Sequence, residues 1–263
     1  PFFSRRSMTP DALKIGQRPS WLLIVAISIG ALLAWLAATL GLGLVLGPEA
    51  LEPGTPAHKT FAPWLPLFAG ILNFVVLGGL GLALGLATRA LSWRQLGLAA
   101  RPTWLWLGLV VGLTFGLLPI RIMAGMIYIA LTNDVSVQSR VDVIFPEVSL
   151  AAFASALIGV GLLAPIGEEL YFRGVVYSLL RSRLSSRWSI GVSSIVFALG
   201  HADSPPVILT SLLIGLALAW AYEHTQSLWP GIFIHILNNT LVVILGFAGL
   251  ALQQWLGAQG ALP

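Results

Sequence analysis

Three short stretches hold the residues that could do chemistry: Glu168-Glu169-x-x-x-Arg173, Phe197-x-x-x-His201 and His235-x-x-x-Asn239. In a helix, residues four apart share a face, so Glu169 and Arg173 can pair. Glu168 lies about 100° round the axis and is left without that cation. A carboxylate that no neighbouring cation neutralises can take a proton from water, which makes Glu168 the candidate general base. The bland alternative puts both glutamates at an interfacial helix start after Pro165, stabilised by the helix dipole. Against it, His201 and His235 fall inside apolar runs, each with a same-face companion. The other two histidines, His58 and His224, are read as solvated.

The elements that must position these groups are membrane spans. The chain is 57% hydrophobic and 9% charged, with a mean hydropathy of +0.90. Soluble domains carry about 25% charged residues. Seven runs are nearly charge-free: Trp21–Gly47, Trp64–Ala87, Thr103–Leu131, Leu150–Ile166, Trp188–Gly200, Val207–Tyr222 and Trp229–Leu252. A span takes roughly 20 apolar residues. The expectation is an all-α, polytopic transmembrane helical bundle of seven spans, or eight if the last run breaks near Gly246 or Gly249. From Leu150 to Arg183 the chain reads as one long kinked helix, or two segments broken near Pro165 and Gly167. Glu168 lies 13 residues before Arg181 and His201 lies 13 after Trp188, so an antiparallel hairpin brings them to one depth. His235 falls closer to the start of its run, an imperfect match.

There is no cysteine, which removes disulfides and thiolate chemistry. The net charge of +4 could suggest nucleic acid, but its placement excludes that. Ten of the 14 Lys and Arg residues lie at 5–18, 89–101 and 181–187, while the intervening segments 48–63 and 132–149 hold Lys59 and Arg140 against five acids. This is the positive-inside pattern, and it puts the N-terminus in the cytoplasm. The first run is too long for a signal-peptide core and is read as a retained span. The chain opens on Pro1, so either Met8 is the start or residues preceding Pro1 were removed. We divide the sequence into a tail at 1–19, N-terminal spans with an interfacial segment at 20–146, and a catalytic-type core at 147–263. "LSWRQLGLAARPTW" reads as an amphipathic connector in the interface, Arg121 as snorkelling outward, and Asn73 as helix–helix glue.

The three motifs, in order and on successive late spans, resemble those of the CAAX-protease and bacteriocin-processing (CPBP, Abi) intramembrane proteases. "ELYFRG" and "LGLAAR" add to the likeness, which is specific over about Pro165–Leu241. The resemblance implies peptide-bond hydrolysis within the membrane, acting on a membrane-associated protein or peptide. It implies Glu168 as the base, His201 on the attacking water, and His235 and Asn239 as donors to the oxyanion. Glu169 with Arg173 would hold the helix and local field, and Phe197 would pack beneath His201. Zinc on Glu168, His201 and His235 is the alternative, but there is no HExxH and asparagine is a poor zinc ligand, so a metal-free glutamate mechanism is favoured. Rivals of another class are a proton-coupled transporter, which would show inverted repeats that are not seen here, and a non-catalytic immunity or scaffold protein.

Overall fold

The computed structural model describes residues 18–100, 103–134, 137–202 and 205–259, and among these it is all-helical. Arg5, Arg6, Met8, Lys14 and Arg101 lie outside the described residues, as does most of the tail read at 1–19. The helices are α1 (Trp21–Leu46), α2 (Pro56–Ala87), α3 (Trp104–Thr132), α4 (Val137–Ile144), α5 (Leu150–Arg181), α6 (Ser186–Leu199), α7 (Pro205–Thr225) and α8 (Leu228–Ala258). The chain is the expected polytopic bundle. Six helices, all but α4 and α6, are long and apolar enough to cross a membrane. The fifth run, Trp188–Gly200, forms α6, whose 14 residues reach about 21 Å, short of the roughly 30 Å of a hydrocarbon core. α8 runs unbroken through Gly246 and Gly249. Gly246 is there for packing: a methyl on it would strike the Phe145 ring.

The outer surface suits lipid. Leu22, Leu44 and Val45 are more than three-quarters exposed. Exposed tryptophans mark both ends of the bundle, with Trp21, Trp93, Trp104 and Trp188 at one and Trp64 and Trp255 at the other, as interfacial belts do.

Lipid tails are as apolar as leucine, so spans are held together by close packing and interhelical hydrogen bonds. α2 and α5 show this directly. A Cβ on Gly159 would lie 2.0 Å from Pro66 O, and one on Gly167 would lie 2.3 Å from Asn73 O. Gly70 meets Gly159 and Gly78 meets Gly167, so the two helices run parallel with their backbones touching at two points eight residues apart. Asn73 is thereby brought onto the part of α5 that carries Glu168.

The basic connector after α2 does more than float in the interface. Leu96 is fully buried. Gly97 has φ +62°, and a Cβ there would sit 1.9 Å from Gln226 O, so only glycine fits. Ser227 Oγ donates to Gly97 O (2.8 Å), Trp229 Nε1 to Leu98 O (2.9 Å) and Tyr222 OH to Gln95 O (2.7 Å). This clasp buries Ser227 and Leu228, so α8 begins below the surface.

Arg121 also departs from expectation. It turns inward, Nε donating to Thr210 O (3.2 Å) and Nη1 to Asn238 Oδ1.

Candidate functional site

α5 is one continuous helix, wound wide (π-type) over Leu157–Leu163 and again over Leu170–Tyr177. The single α-helical turn between, Ala164–Glu169, carries both glutamates. On α2 a third π stretch begins at Asn73. Such irregular winding is common at functional sites because it re-aims side chains that a regular helix would stack.

Glu169 is fully buried. Its Oε1 accepts from Arg173 Nη1 (2.7 Å) and from His235 Nδ1 (3.0 Å). Arg173 in turn donates through Nη2 to Gly215 O (3.1 Å) and lies over the Phe197 ring, 4.6 Å from its centroid. The expected pair is present, and Glu169 also fixes a histidine from another helix. Because a carboxylate accepts, His235 Nδ1 is the donor, and its Nε2 is turned toward Glu168.

Glu168 sits across the same ring. Its Oε2 is 3.7 Å from His235 Nε2 and is buried without a hydrogen-bond partner. Its Oε1 accepts from Asn73 Nδ2 (3.4 Å). Among the described residues no arginine or lysine pairs with it as Arg173 pairs with Glu169. A water at ordinary hydrogen-bond length from both Oε2 and Nε2, about 2.8 Å, would sit to one side of the line joining them.

Phe197 is the wall between the two histidines. Its centroid is 5.0 Å from the His201 ring and 5.7 Å from the His235 ring. His201, in the turn after α6, donates from Nδ1 to Phe197 O (3.0 Å), which makes Nε2 the acceptor nitrogen of the neutral ring. Phe197 thus packs on His201 as expected.

Asn239 is engaged elsewhere. One turn beyond His235, its Nδ2 donates to Val160 O (3.1 Å) in the first π stretch of α5. The contacts therefore join Glu168, Glu169, Arg173, Phe197, His201 and His235 in one chain, and Asn239 stands outside it. His224 is exposed, as read, whereas His58 is half-buried with Nδ1 3.1 Å from Ala50 O.

Two supports were missed in the sequence. Asn73 touches Glu168 itself, a role its lone position in an apolar run does not announce. Gly231 lies four residues before His235 on the same face, and a Cβ there would come 2.8 Å from Glu169 Oε2. The Gly-x-x-x-His spacing was the available signal: a small residue makes room for the carboxylate that holds the histidine.

Zinc can be tested against the donors present. Among the described residues, no three His, Asp or Glu side chains form a group that could hold a metal ion. His235 has committed Nδ1 to Glu169, leaving Nε2 and Glu168 Oε2 as two facing ligand atoms, with no third group beside them among the described residues.

Residues 150–241 match the family described as "Type II CAAX prenyl endopeptidase Rce1-like", the stretch that holds all three motifs. The chain is 32% identical over 108 residues to "Putative membrane peptidase YdiL" of Bacillus subtilis (strain 168), covering 41% of each chain. It is 30% identical over 113 residues to "UPF0177 protein YaiF" of Lactococcus lactis subsp. lactis (strain IL1403), covering 43% of this chain and 49% of that one. A second protein of that organism, "UPF0177 protein YaiH", is 30% identical over 101 residues, 38% of this chain and 39% of that one. The matched stretch is thus less than half the length of these relatives. No solved structure matches. The resemblance read from the motifs holds over the helices that build the site.

Proposed function

We propose that this chain is an intramembrane endopeptidase that hydrolyses a peptide bond of a membrane-associated protein or peptide, using water activated by Glu168. One observation carries the reading. Of two adjacent carboxylates, each with an Oε2 buried and unpartnered, Glu169 is fixed through Oε1 by Arg173 and His235 and packs its Oε2 against Gly231, while Glu168 turns its Oε2 toward His235 Nε2. The family match at residues 150–241 supports the same class.

In this reading Glu168 takes the proton from water as the oxygen attacks the carbonyl carbon, and later returns it to the departing amine. His235, fixed through Nδ1 by Glu169, turns Nε2 toward the reaction and donates to the oxyanion when that nitrogen carries a proton. His201 accepts from the attacking water through Nε2. Asn239 serves as second oxyanion donor once its amide leaves Val160 O. Each such donor is worth about 3–4 kcal/mol to the transition state.

The reading needs no metal. Purified protein, stripped of metal and assayed on a peptide library in detergent, is expected to retain turnover and to carry no stoichiometric zinc by elemental analysis. One zinc per chain, lost together with activity in His201→Ala, would overturn the metal-free mechanism and leave the protease class standing. No turnover of any peptide under any metal condition would count against the protease itself.

We also propose a cytoplasmic N-terminus. Arg18, Arg89, Arg94, Arg181, Arg183 and Arg187 cluster where Arg183 Nε donates to Pro19 O (2.8 Å), the end expected to face inward. The chain has no cysteine, so Ser186→Cys provides a unique label. An impermeant maleimide should reach it only in inside-out vesicles; labelling in right-side-out vesicles would reverse the topology.

A further inference from the structure

Arg121 is the one charged residue in the 29 of α3. It lies 17 residues from Trp104 and 11 from Thr132, so roughly 25 Å and 16 Å along the axis from the two ends, away from headgroups. A cation at such depth is costly and is retained where something pairs with it. Among the described residues no carboxylate does. Its Nε and Nη1 are used on Thr210 O and Asn238 Oδ1, and Nη2 makes no hydrogen bond there.

Asn238 adds a second, independent sign. It is fully buried, and its Nδ2 has no partner. The amide cannot turn round to find one, because the guanidinium only donates and needs Oδ1. A buried N–H left unmade costs about 1–3 kcal/mol. A half-buried cation and a fully buried amide, joined through Asn238 Oδ1, therefore hold unspent donors. They sit near the candidate site: Asn238 follows His235 by three residues on α8, about 4.5 Å of rise.

We propose that Arg121 and Asn238 form an anion subsite beside the Glu168–His235 centre, and that it receives a peptide carboxylate. The inference deepens the protease reading by giving its substrate a charged anchor. Mid-span depth disfavours a lipid phosphate. A carboxylate carried in on a peptide can be the free C-terminus or an acidic side chain, and the two oxygens of either can accept from both donors. Guanidinium–carboxylate hydrogen bonds are about twice as strong as neutral ones, so the anchor selects between otherwise identical peptides.

Binding can be measured without turnover, using full-length Glu168→Gln protein in detergent and fluorescent apolar decapeptides. The first pair differs only in a free or amidated C-terminus. The second pair is amidated and differs by an internal Glu or Gln. We expect one of the two acidic peptides to bind at least about tenfold tighter than its neutral twin, a ratio equivalent to 1.4 kcal/mol; which pair responds identifies the source. The preference should fall to about one in Arg121→Gln. It should fall equally in Asn238→Asp, which supplies an internal carboxylate to Arg121 and is expected to raise the thermal midpoint, so misfolding cannot imitate the result. Equal binding of both pairs by the Glu168→Gln protein, or a preference that survives Asn238→Asp, would overturn the subsite. Acid preference in a protein that hydrolyses nothing would retain the subsite and reject the protease.

Discussion

Glu168→Gln is expected to lower hydrolysis by roughly 10²–10⁴-fold, the range a positioned general base contributes, while the protein unfolds no earlier than wild type. Both halves follow from the contacts. The carboxamide of this variant keeps an Oε1 to accept from Asn73 Nδ2, the one hydrogen bond that Glu168 makes. The atom replaced is Oε2, which is buried and satisfies nothing. An uncompensated carboxylate oxygen facing a ring nitrogen at 3.7 Å contributes little to stability, and its removal leaves no partner stranded. What is lost is the lone pair that takes a proton from water. Turnover and thermal midpoint, measured on one preparation, check the claim. Wild-type turnover would remove Glu168 from the mechanism, and a midpoint several degrees lower would show that it supports the fold.

The parts of this site that were legible in sequence are those fixed within one helix. Glu169 and Arg173 pair because i and i+4 share a face, whatever else surrounds them. Phe197 meets His201 for the same reason. The charge-free runs located the spans because a lipid-facing helix has no other composition open to it. What could not be read is register between helices. Glu169 reaches His235 across 66 residues and Asn73 reaches Glu168 across 95. The second pairing follows from backbone contacts at Gly159 and Gly167, whose eight-residue spacing is weak among 28 glycines, and the first from the close approach of Gly231 to Glu169. Arg121 was read as snorkelling because a single sequence shows the cost of a buried cation but not the Asn238 that meets it. The fifth run, Trp188–Gly200, is short already in the sequence, and α6 extends it to no more than 14 residues. Its early end puts His201 in a turn inside the bundle, where Phe197 O can fix its ring.

Glu169→Gln should fail twice over, and a second substitution separates the two failures. Removing the charge leaves Arg173 fully buried without its counter-ion, and breaking a buried pair from one side typically costs about 3–5 kcal/mol. The midpoint in detergent should fall accordingly. The same change releases the His235 ring. A carboxylate only accepts, so it holds Nδ1–H and keeps Nε2 turned toward Glu168; a carboxamide can present its NH₂ instead and release the ring from that orientation. Loss of an orienting carboxylate of this kind costs about 10⁴-fold where a histidine's tautomer is at stake, and on the order of 10²–10⁴-fold is expected here. Arg173→Met, added to Glu169→Gln, removes the stranded cation and fills its volume with an unbranched apolar chain against Phe197. Replacing both partners of a buried pair is often neutral for stability, so the double variant should recover most of the lost midpoint despite losing the bond to Gly215 O. It should recover no activity, because nothing has been returned to His235. A double variant that regains both would show that Glu169 serves the fold alone. One that regains stability and stays inactive identifies Glu169 as a positioning residue acting through His235.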